Sequence, residues 1–272
     1  MAPKRLSLCE TKTGDKMAHW VRFEDNGEAG FGTLESETIA VCEGDMFAGA
    51  TATGEKVDLA DMTLLTPCVP SKLIALWNNS RSAAEKQGLD QPEYPLFFIK
   101  AANTYLAAGG VIRKPASYDG RVIYEAELGI VIGRPCKDAD RAEAAGAIFG
   151  YTCVNDVTAL QLLEADPSFP QWARAKGFDT FGAFGPSIAT DTDVSGATIR
   201  AELNGRERQN YPVSDLFMQP AEIVSHLSQA MTLNPGDLIA CGTGPGALPM
   251  KPGATIDVVI DGIGTLSNTY DA

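Results

Sequence analysis

Two glutamates stand inside the longest apolar stretch of the chain, and they constrain its fold more than any other feature. Residues 122–132 are Val-Ile-Tyr-Glu-Ala-Glu-Leu-Gly-Ile-Val-Ile, and this β-branched and aromatic composition predicts a strand. Successive side chains of a strand point to opposite faces, so we expect Glu125 and Glu127 on one face. Two half-buried carboxylates repel each other and lose hydration, which is costly unless protons or a cation compensate. A divalent cation compensates best.

A third carboxylate is needed to complete such a site, because Mg²⁺, Mn²⁺ and Ca²⁺ prefer several oxygen ligands. The best candidate is Asp156, which ends an apolar predicted strand at residues 148–156. A carboxylate at such a strand end can point into a shared cavity. Aspartate is also a favoured helix-capping residue, and a helix is predicted at 159–165. From the residues alone, a metal ligand and a helix cap are equally supported.

Turn-forming residues divide the rest of the chain into short strands. The segments 17–23, 31–34 and 38–41 predict a small β unit in the first 65 or so residues, followed by a linker at 66–70. Asn204-Gly205 and Asp261-Gly262 each predict a two-residue hairpin loop. Short helices are predicted at residues 80–87, 141–147, 159–165 and 221–231. The expected fold class is mixed α+β, dominated by β-strands, with few short helices.

The charge of the chain excludes several classes of partner. Its formal net charge is −13, whereas nucleic acids and anionic membrane surfaces demand a basic protein face. No segment approaches the roughly 20 uninterrupted apolar residues of a membrane span, and the N-terminus has no apolar core long enough for a signal peptide. We therefore expect a soluble, cytoplasmic protein. Small anionic ligands are not excluded, since a metal and a few cations invert the field locally.

The number and spacing of the cysteines and histidines argue against thiolate or His-rich metal sites and against a catalytic triad. No Cys-x-x-Cys pair is present, so we expect reduced structural thiols rather than a thiolate metal site. The six cysteines are Cys9, Cys42, Cys68, Cys136, Cys153 and Cys241. Only His19 and His226 are available, which argues against a His-rich zinc site and a Ser-His-Asp triad. Both histidines are interpreted as structural or surface residues.

Several motifs occur together over about residues 70–270. They are the Glu-x-Glu strand, an Asn-Asp-x-Thr step after a Gly-Tyr strand, residues 174–179, Gly185-Pro186, residues 235–239 and Gly242-Thr243-Gly244. In this order and at this spacing, the chain resembles the fumarylacetoacetate hydrolase superfamily, and most closely its 2-hydroxyhepta-2,4-diene-1,7-dioate and 5-carboxymethyl-2-hydroxymuconate isomerase-like members. The Gly-rich residues 242–246 alone would be a weak phosphate-loop signal, and Pro249 and Pro252 disfavour the helix such a loop requires.

The resemblance implies a fold and an assembly. It implies roll or barrel-like β-sheets with few short helices, in a catalytic domain at residues 71–272. A small N-terminal β domain is expected at residues 1–66. It also implies a homodimer.

The resemblance implies site residues as well. Glu125, Glu127 and Asp156 match the family's metal ligands, which would hold Mg²⁺ or Mn²⁺, with Ca²⁺ as a further option. Lys176 matches a catalytic lysine of the pocket, and Thr243 matches a substrate-contacting threonine. A metal bound by a 2-oxo acid polarises the carbonyl and stabilises an enolate, and Lys176 can stabilise the same charge.

Two further residues are candidate substrate contacts. The guanidinium of Arg81 can meet a substrate carboxylate through its bidentate fork. Gln161 follows Asp156 by about one turn and can face the site. For Arg81, as for Lys100, a structural role is at least as well supported by the residues alone.

One segment departs from the family pattern. Many members carry Asn-Tyr-x-x-His-x-x-Glu on a mobile lid, where the His-Glu pair activates water. Here Asn79 occupies the tyrosine position and Ser82 the histidine position, while Glu85 is retained. Serine cannot replace imidazole as a general base near neutral pH.

This departure leaves three functions open. The first is C–C bond hydrolysis of an acylpyruvate or fumarylpyruvate, with Glu85 as the catalytic residue that activates water. The second is decarboxylation or keto–enol isomerisation of a 2-hydroxymuconate- or oxaloacetate-type diacid, which needs no attacking water. The third is a non-catalytic, metal-dependent protein that binds an anionic oxo acid.

Overall fold

The computed structural model describes residues 18–271, which form nineteen strands and four helices. The first nine strands are β1 (Ala18–Asp25), β2 (Glu28–Glu35), β3 (Thr38–Asp45), β4 (Gly49–Asp58), β5 (Thr63–Leu64), β6 (Leu73–Trp77), β7 (Leu96–Lys100), β8 (Tyr105–Leu106) and β9 (Val111–Arg113). The others are β10 (Val122–Ile123), β11 (Ala126–Ile132), β12 (Ile148–Asp156), β13 (Thr158–Ala159), β14 (Gly182–Thr190), β15 (Thr198–Leu203), β16 (Arg206–Pro212), β17 (Leu238–Ala240), β18 (Ala254–Ile260) and β19 (Gly264–Asp271). The helices are α1 (Arg81–Gln87), α2 (Arg141–Ala147), α3 (Trp172–Lys176) and α4 (Pro220–Ala230).

The larger sheet has twelve strands and carries the candidate site near its middle. Ten of them run in the order β4-β3-β2-β1-β14-β12-β11-β17-β6-β7, while β5 pairs with β1 and β8 with β14. Strands β11 and β12 are antiparallel neighbours and are buried over most of their length. Because both faces are covered, these strands are nearly continuous apolar runs rather than alternating ones.

A smaller sheet packs against this centre. Its five strands run in the order β16-β15-β18-β19-β9, and β18 buries alternate residues, as expected for one covered face. The main hydrophobic core contains residues from both sheets, among them Leu128 and Ile130 of β11 and Val258 of β18. The expected β-dominated α+β fold is confirmed.

The N-terminal strands continue the larger sheet. Strands β1 to β4 form an antiparallel meander, and β1 also pairs with β14 through His19↔Ala189 and Trp20↔Ile188. The meander has its own small core of Val21, Phe23 and Ile39. Met17, the first residue of the strand predicted at 17–23, and the predicted structural thiol Cys9 lie outside the described residues.

Three of the four predicted helices match observed ones. The segments 80–87, 141–147 and 221–231 correspond to α1, α2 and α4, to within one residue at each end. The helix predicted at 159–165 is wrong, because Thr158 and Ala159 pair with Ile123 and Val122 as β13, and only a 3₁₀ turn, Leu160–Leu162, follows. Strand pairing there outweighs helix propensity.

The two predicted hairpin loops differ in outcome. Asn204-Gly205 is a two-residue loop with φ of 53° and 69°, the conformation that this dipeptide favours. The second loop has three residues, since Ile260 pairs with Gly264. The residue after Asp261-Gly262 therefore also belongs to the turn.

The expected roles of the thiols and histidines are compatible with the structure. Cys42, Cys68, Cys136, Cys153 and Cys241 are free cysteines. The Nδ1 atom of His19 lies 3.2 Å from Ser187 Oγ, and the His226 ring packs edge-on against Tyr94. Between residues 18 and 271, no helix has the length and apolarity required to cross a membrane.

Candidate active site

The predicted strand at 122–132 is interrupted at the first of the two glutamates. Strand β10 ends at Ile123 and β11 begins at Ala126, because the Glu125 amide donates to the side-chain Oδ1 of Asn155 at 3.1 Å. The Glu125 carbonyl accepts the Asp156 amide at 2.9 Å. The expectation of one continuous strand is therefore wrong at this point, although the break fixes the backbone of Glu125 directly beside Asp156.

Three carboxylates converge at this break. One oxygen each of Glu125, Glu127 and Asp156 lies within 4.8 Å of the other two. Glu127 and Asp156 are fully buried, while the Glu125 side chain is 14% exposed. Like charges this close destabilise one another in a buried site unless cations compensate. The predicted grouping of these residues is thus present in the structure.

Glu127 has the features of a metal ligand. Its Oε2 accepts the Gly242 amide at 2.7 Å, and Gly242 has a φ of +92° that glycine adopts without strain. Its Oε1 is buried and has no hydrogen-bond partner among the described residues. Burial and the charges of Asp156 and Glu125 raise its pKa well above the usual value. An unpartnered carboxylate oxygen within an all-oxygen donor set fits a hard divalent cation.

Two buried lysines balance part of this negative charge. Lys176 Nζ lies 2.8 Å from Glu125 Oε2 and 2.5 Å from Asp156 Oδ2, and Lys100 Nζ lies 2.5 Å from Asp156 Oδ1. Burial opposes ionisation of Asp156, but the two lysines outweigh it and lower its pKa. For Lys176 burial is likewise outweighed by the carboxylates, which raise its pKa. For Lys100 burial prevails over Asp156 and lowers its pKa.

The pairing of Lys100 with Asp156 was not predicted from the sequence. Lys100 ends the apolar strand β7 and is completely buried. A lysine at the end of an apolar strand is a signal for a buried ion pair, because such a charge needs a partner. The identity of that partner depends on the order of strands in the sheet.

A cavity of about 290 Å³ opens beside the carboxylates, a size suited to a small ligand. Glu125 and Lys176 lie at this end of it. Trp77, Phe98 and Trp172 form an aromatic wall, and α1 and a Gly-rich loop close the remaining sides. The other lining residues are Leu76, Asn78, Ala83, Lys86, Gln87, Ile123, Leu160, Leu163 and residues 243–247.

Thr243 lines this cavity, whereas Gln161 does not. The hydroxyl of Thr243 donates to the Ala126 carbonyl at 3.1 Å and accepts from Gln209 Nε2 at 2.9 Å. The Gln161 side chain accepts hydrogen bonds from the Tyr118 hydroxyl and the Arg121 amide. This orientation follows from the 3₁₀ turn that replaces the predicted helix.

Arg81 and Glu85 lie on α1 but are not among the lining residues. The Arg81 guanidinium stacks 5.0 Å above the Phe217 ring and donates to the Leu216 carbonyl at 3.3 Å. Glu85 is exposed. Their proposed roles in substrate binding and catalysis, like those of Thr243, Gln161 and Lys176, stay predictions.

Asp215 binds the start of residues 79–85, the segment that departs from the family pattern. Its carboxylate accepts hydrogen bonds from the hydroxyls of Ser80 and Ser82, at 2.6 and 2.8 Å, and from the Ser82 amide at 3.1 Å. Ser80 also caps α1 by accepting the Ala83 amide. Ser82 therefore anchors the helix start rather than lining the cavity.

Two family models match the chain. Residues 72–270 match the model described as fumarylacetoacetate (FAA) hydrolase, C-terminal. Residues 18–67 match a model described as Rv2993c-like, N-terminal. The first match spans well over half of the chain.

Two curated relatives are similar to the sequence. Protein Rv2993c of Mycobacterium tuberculosis is 40% identical over 225 residues, which cover 82% of this chain and 83% of that protein. Oxaloacetate tautomerase YisK of Bacillus subtilis is 34% identical over 212 residues, covering 73% of this chain and 69% of that protein.

Two solved structures are similar to the fold. The 2-hydroxyhepta-2,4-diene-1,7-dioate isomerase of Mycobacterium marinum has a TM-score of 0.85 at 36% identity, covering 93% of this chain and 98% of that one. Fumarylpyruvate hydrolase of Pseudomonas aeruginosa, in complex with Mn²⁺ and pyruvate, has a TM-score of 0.69 at 29% identity, covering 74% and 90%. The expected resemblance is confirmed: the chain belongs to the fumarylacetoacetate hydrolase superfamily and is an enzyme of that superfamily.

Proposed function

We propose that this enzyme catalyses keto–enol isomerisation of a small 2-oxo acid with the help of a divalent cation. One observation carries the proposal. The carboxylate cluster lies at the end of a small cavity, while α1 presents only Ala83, Lys86 and Gln87 to that cavity. None of these three is a base suited to activating water near neutral pH.

Glu125, Glu127 and Asp156 are the proposed ligands of the cation. Mg²⁺ and Mn²⁺ are the favoured ions and Ca²⁺ is a further option, since all three donors are carboxylate oxygens. The Mn²⁺ found in the fumarylpyruvate hydrolase relative supports this assignment. When bound, such a cation polarises the 2-oxo acid carbonyl as a Lewis acid.

Lys176 is the proposed stabiliser of negative charge on the substrate. It lines the cavity and contacts both Glu125 and Asp156, and its raised pKa keeps it cationic at neutral pH. An ammonium fixed in a poorly hydrated site stabilises a developing enolate oxygen more than it does in water. Thr243 is proposed to position the substrate from the opposite loop.

Isomerisation suits this site because it adds no water to the substrate. One proton leaves carbon and one is gained by oxygen, or the reverse, so no residue has to hold an attacking water molecule. The isomerase and tautomerase names of two relatives support this choice. Decarboxylation of an oxo diacid has the same requirement and shares the enolate, so it is the nearest alternative within the proposal.

Hydrolysis of an acylpyruvate is a second candidate, favoured by similarity to the fumarylpyruvate hydrolase. It assigns water activation to Glu85, which is exposed outside the cavity wall. Hydrolysis therefore requires α1 to move so that Glu85 reaches the cavity. Isomerisation requires no such movement.

Three assays with the same enzyme preparation separate these reactions. We expect accelerated loss of enol absorbance with oxaloacetate in the presence of Mg²⁺ or Mn²⁺, and loss of that acceleration with a chelator. Acylpyruvate cleavage and CO₂ release are followed in parallel. Cleavage without isomerisation would replace the proposal with hydrolysis, and dominant CO₂ release would replace it with decarboxylation. No metal-dependent turnover of any of these substrates would refute it.

The domain boundaries and the homodimer are proposals that accompany this function. Residues 1–66 and 71–272 are the proposed domains; the match at residues 72–270 falls within the second, and the match at residues 18–67 extends one residue past the first. Sedimentation analysis tests the dimer, since a monomeric mass at micromolar concentration would contradict it.

A further inference from the structure

The two lysines that line the active-site cavity differ in their surroundings. Lys176 is buried and contacts two carboxylates. Lys86 is exposed on α1 and forms no ion pair with any described carboxylate. Within the described lining, Lys86 is therefore the cation that is free to meet an anionic group of a ligand.

The charge at the carboxylate end leaves room for one anionic group. Glu125, Glu127 and Asp156 are balanced in part by Lys100 and Lys176. Under the proposed function, a divalent cation at these ligands would attract the carboxylate of the oxo-acid group to this end of the cavity. A second ligand carboxylate needs another cation, because the chain as a whole is strongly negative.

Lys86 is held on the face of α1 that covers the cavity. Ala83, Lys86 and Gln87 follow the i, i+3, i+4 spacing of one helix face. The Gln87 side-chain amide donates to the Ala83 carbonyl at 3.2 Å, so this donor is already engaged within the helix. The ammonium of Lys86 is thus the charged donor that this face offers.

An aromatic wall accompanies these two charged regions of the cavity. The Trp172 ring lies 5.6 Å from the Trp77 ring and stacks on Phe98 at 5.2 Å between centroids. Such a wall favours a hydrocarbon segment. The complementary ligand has an oxo-acid group, an apolar chain and a second anionic group.

From this arrangement we infer that Lys86 is a specificity-determining residue, which binds the distal carboxylate of a 2-oxo dicarboxylic acid. The inference rests on the proposed function, because that function places the oxo-acid group at the carboxylate end. It adds the residue that would select a dicarboxylic over a monocarboxylic 2-oxo acid.

A pair of ligands with equal chain length isolates this contact. 2-Oxoadipate and 2-oxohexanoate both have six carbons and an oxo-acid group, but only the first has a second carboxylate. We expect the wild-type protein with Mn²⁺ to bind 2-oxoadipate about fivefold more tightly, which is the discounted value for a partly exposed ion pair. Calorimetric titration measures both affinities without turnover.

Substitutions at Lys86 then test the assignment. Lys86→Gln should lower the affinity for 2-oxoadipate about fivefold and so remove the preference, while Lys86→Glu should reverse the preference. Lys251→Gln, a matched loss of one exposed charge outside the cavity lining, should preserve it. Because Lys86 and Lys251 are exposed, both variants should keep the fold, which circular dichroism checks.

The outcomes separate this inference from the function on which it rests. An unchanged preference in Lys86→Gln, or no preference in the wild type, overturns the role of Lys86 while Mn²⁺-dependent binding of both acids still supports the proposed function. Failure of both acids to bind in the presence of Mn²⁺ overturns the two together.

Discussion

The ammonium of Lys100 lies 2.5 Å from Asp156 Oδ1, and neither side chain is more than 1% exposed. The same ammonium donates to the Val157 carbonyl at 3.2 Å. Lys100 comes from β7 at the edge of the larger sheet and Asp156 from β12 near its middle. This pair therefore fixes a proposed metal ligand through an element distant in sequence.

Replacement of Lys100 by methionine tests this fixation. Lys100→Met leaves Asp156 Oδ1 without its donor and Lys176 as the remaining cation beside this buried carboxylate, so the free energy of unfolding should fall by about 3 kcal/mol. Lys72→Met is the matched control. Its partner Asp237 keeps the Ser71 hydroxyl and the Asn234 amide as donors, so about 1 kcal/mol should be lost. Urea unfolding measures both, and equal losses would contradict a special role for Lys100.

The same variant has a predicted pH dependence. The pKa of Asp156 is lowered because the two lysines outweigh its burial, so its stabilising contribution is present above the ordinary carboxyl pKa. This contribution is lost as the pH falls from the ordinary carboxyl pKa to the lowered pKa of Asp156. The stability difference between wild type and Lys100→Met should therefore shrink on acidification. A difference that grows with acid would reverse the assigned direction.

Glu127→Gln is expected to abolish divalent metal binding while preserving the fold. The amide has nearly the same shape, and its oxygen can still accept the Gly242 amide. Metal that binds only the native state raises the melting temperature, so this increase should disappear in the variant. Glu43→Gln, an exposed charge loss on β3, should retain it. Undiminished stabilisation of Glu127→Gln by Mn²⁺ would remove Glu127 from the ligand set.

Metal binding should release a proton. The pKa of Glu127 is raised by burial and by the neighbouring carboxylates, so the metal-free protein holds a proton there below the raised pKa. The cation must displace this proton, and apparent affinity should increase with pH until the raised pKa is passed. Calorimetry in two buffers of different ionisation enthalpy measures the proton count. Affinity independent of pH would contradict the assignment.

Asp215→Ala should loosen α1. Asp215 accepts hydrogen bonds from the hydroxyls of Ser80 and Ser82 and from the Ser82 amide at the start of the helix, and the substitution removes all three. We expect faster amide hydrogen exchange across α1 and weaker binding of 2-oxo acids. Asp193→Ala is the control, since Asp193 accepts the amide and hydroxyl of Ser195 in an exposed turn away from the cavity. Equal exchange in both variants would contradict anchoring of α1 by Asp215.

The sequence predicted the composition of the carboxylate cluster better than its geometry. The unusual polarity of Glu125 and Glu127 within an apolar run was visible locally, and the family motifs added Asp156. The break at Glu125 was not visible, because it depends on a hydrogen bond from its amide to Asn155, thirty positions away. Local patterns fix side-chain alternation only where the strand is continuous.

The residues around the cluster were harder to predict. Placement of Lys100 requires the order of strands, and placement of Lys86 requires the docking of α1 over the cavity. Gln161 was expected to face the site on a helix, but strand pairing of Thr158 and Ala159 sets a different backbone path. Short segments of this kind are decided by tertiary pairing rather than by propensity.

The pairing of β1 with β14 has a consequence for shortened forms of this enzyme. Ile188, Ala189 and Thr190 of β14 use their backbone groups to bind β1. Deleting the N-terminal meander would expose these groups as an open strand edge, a template for aggregation. A catalytic fragment would therefore need another cover for this edge, such as a charged substitution or a second chain, to stay dispersed.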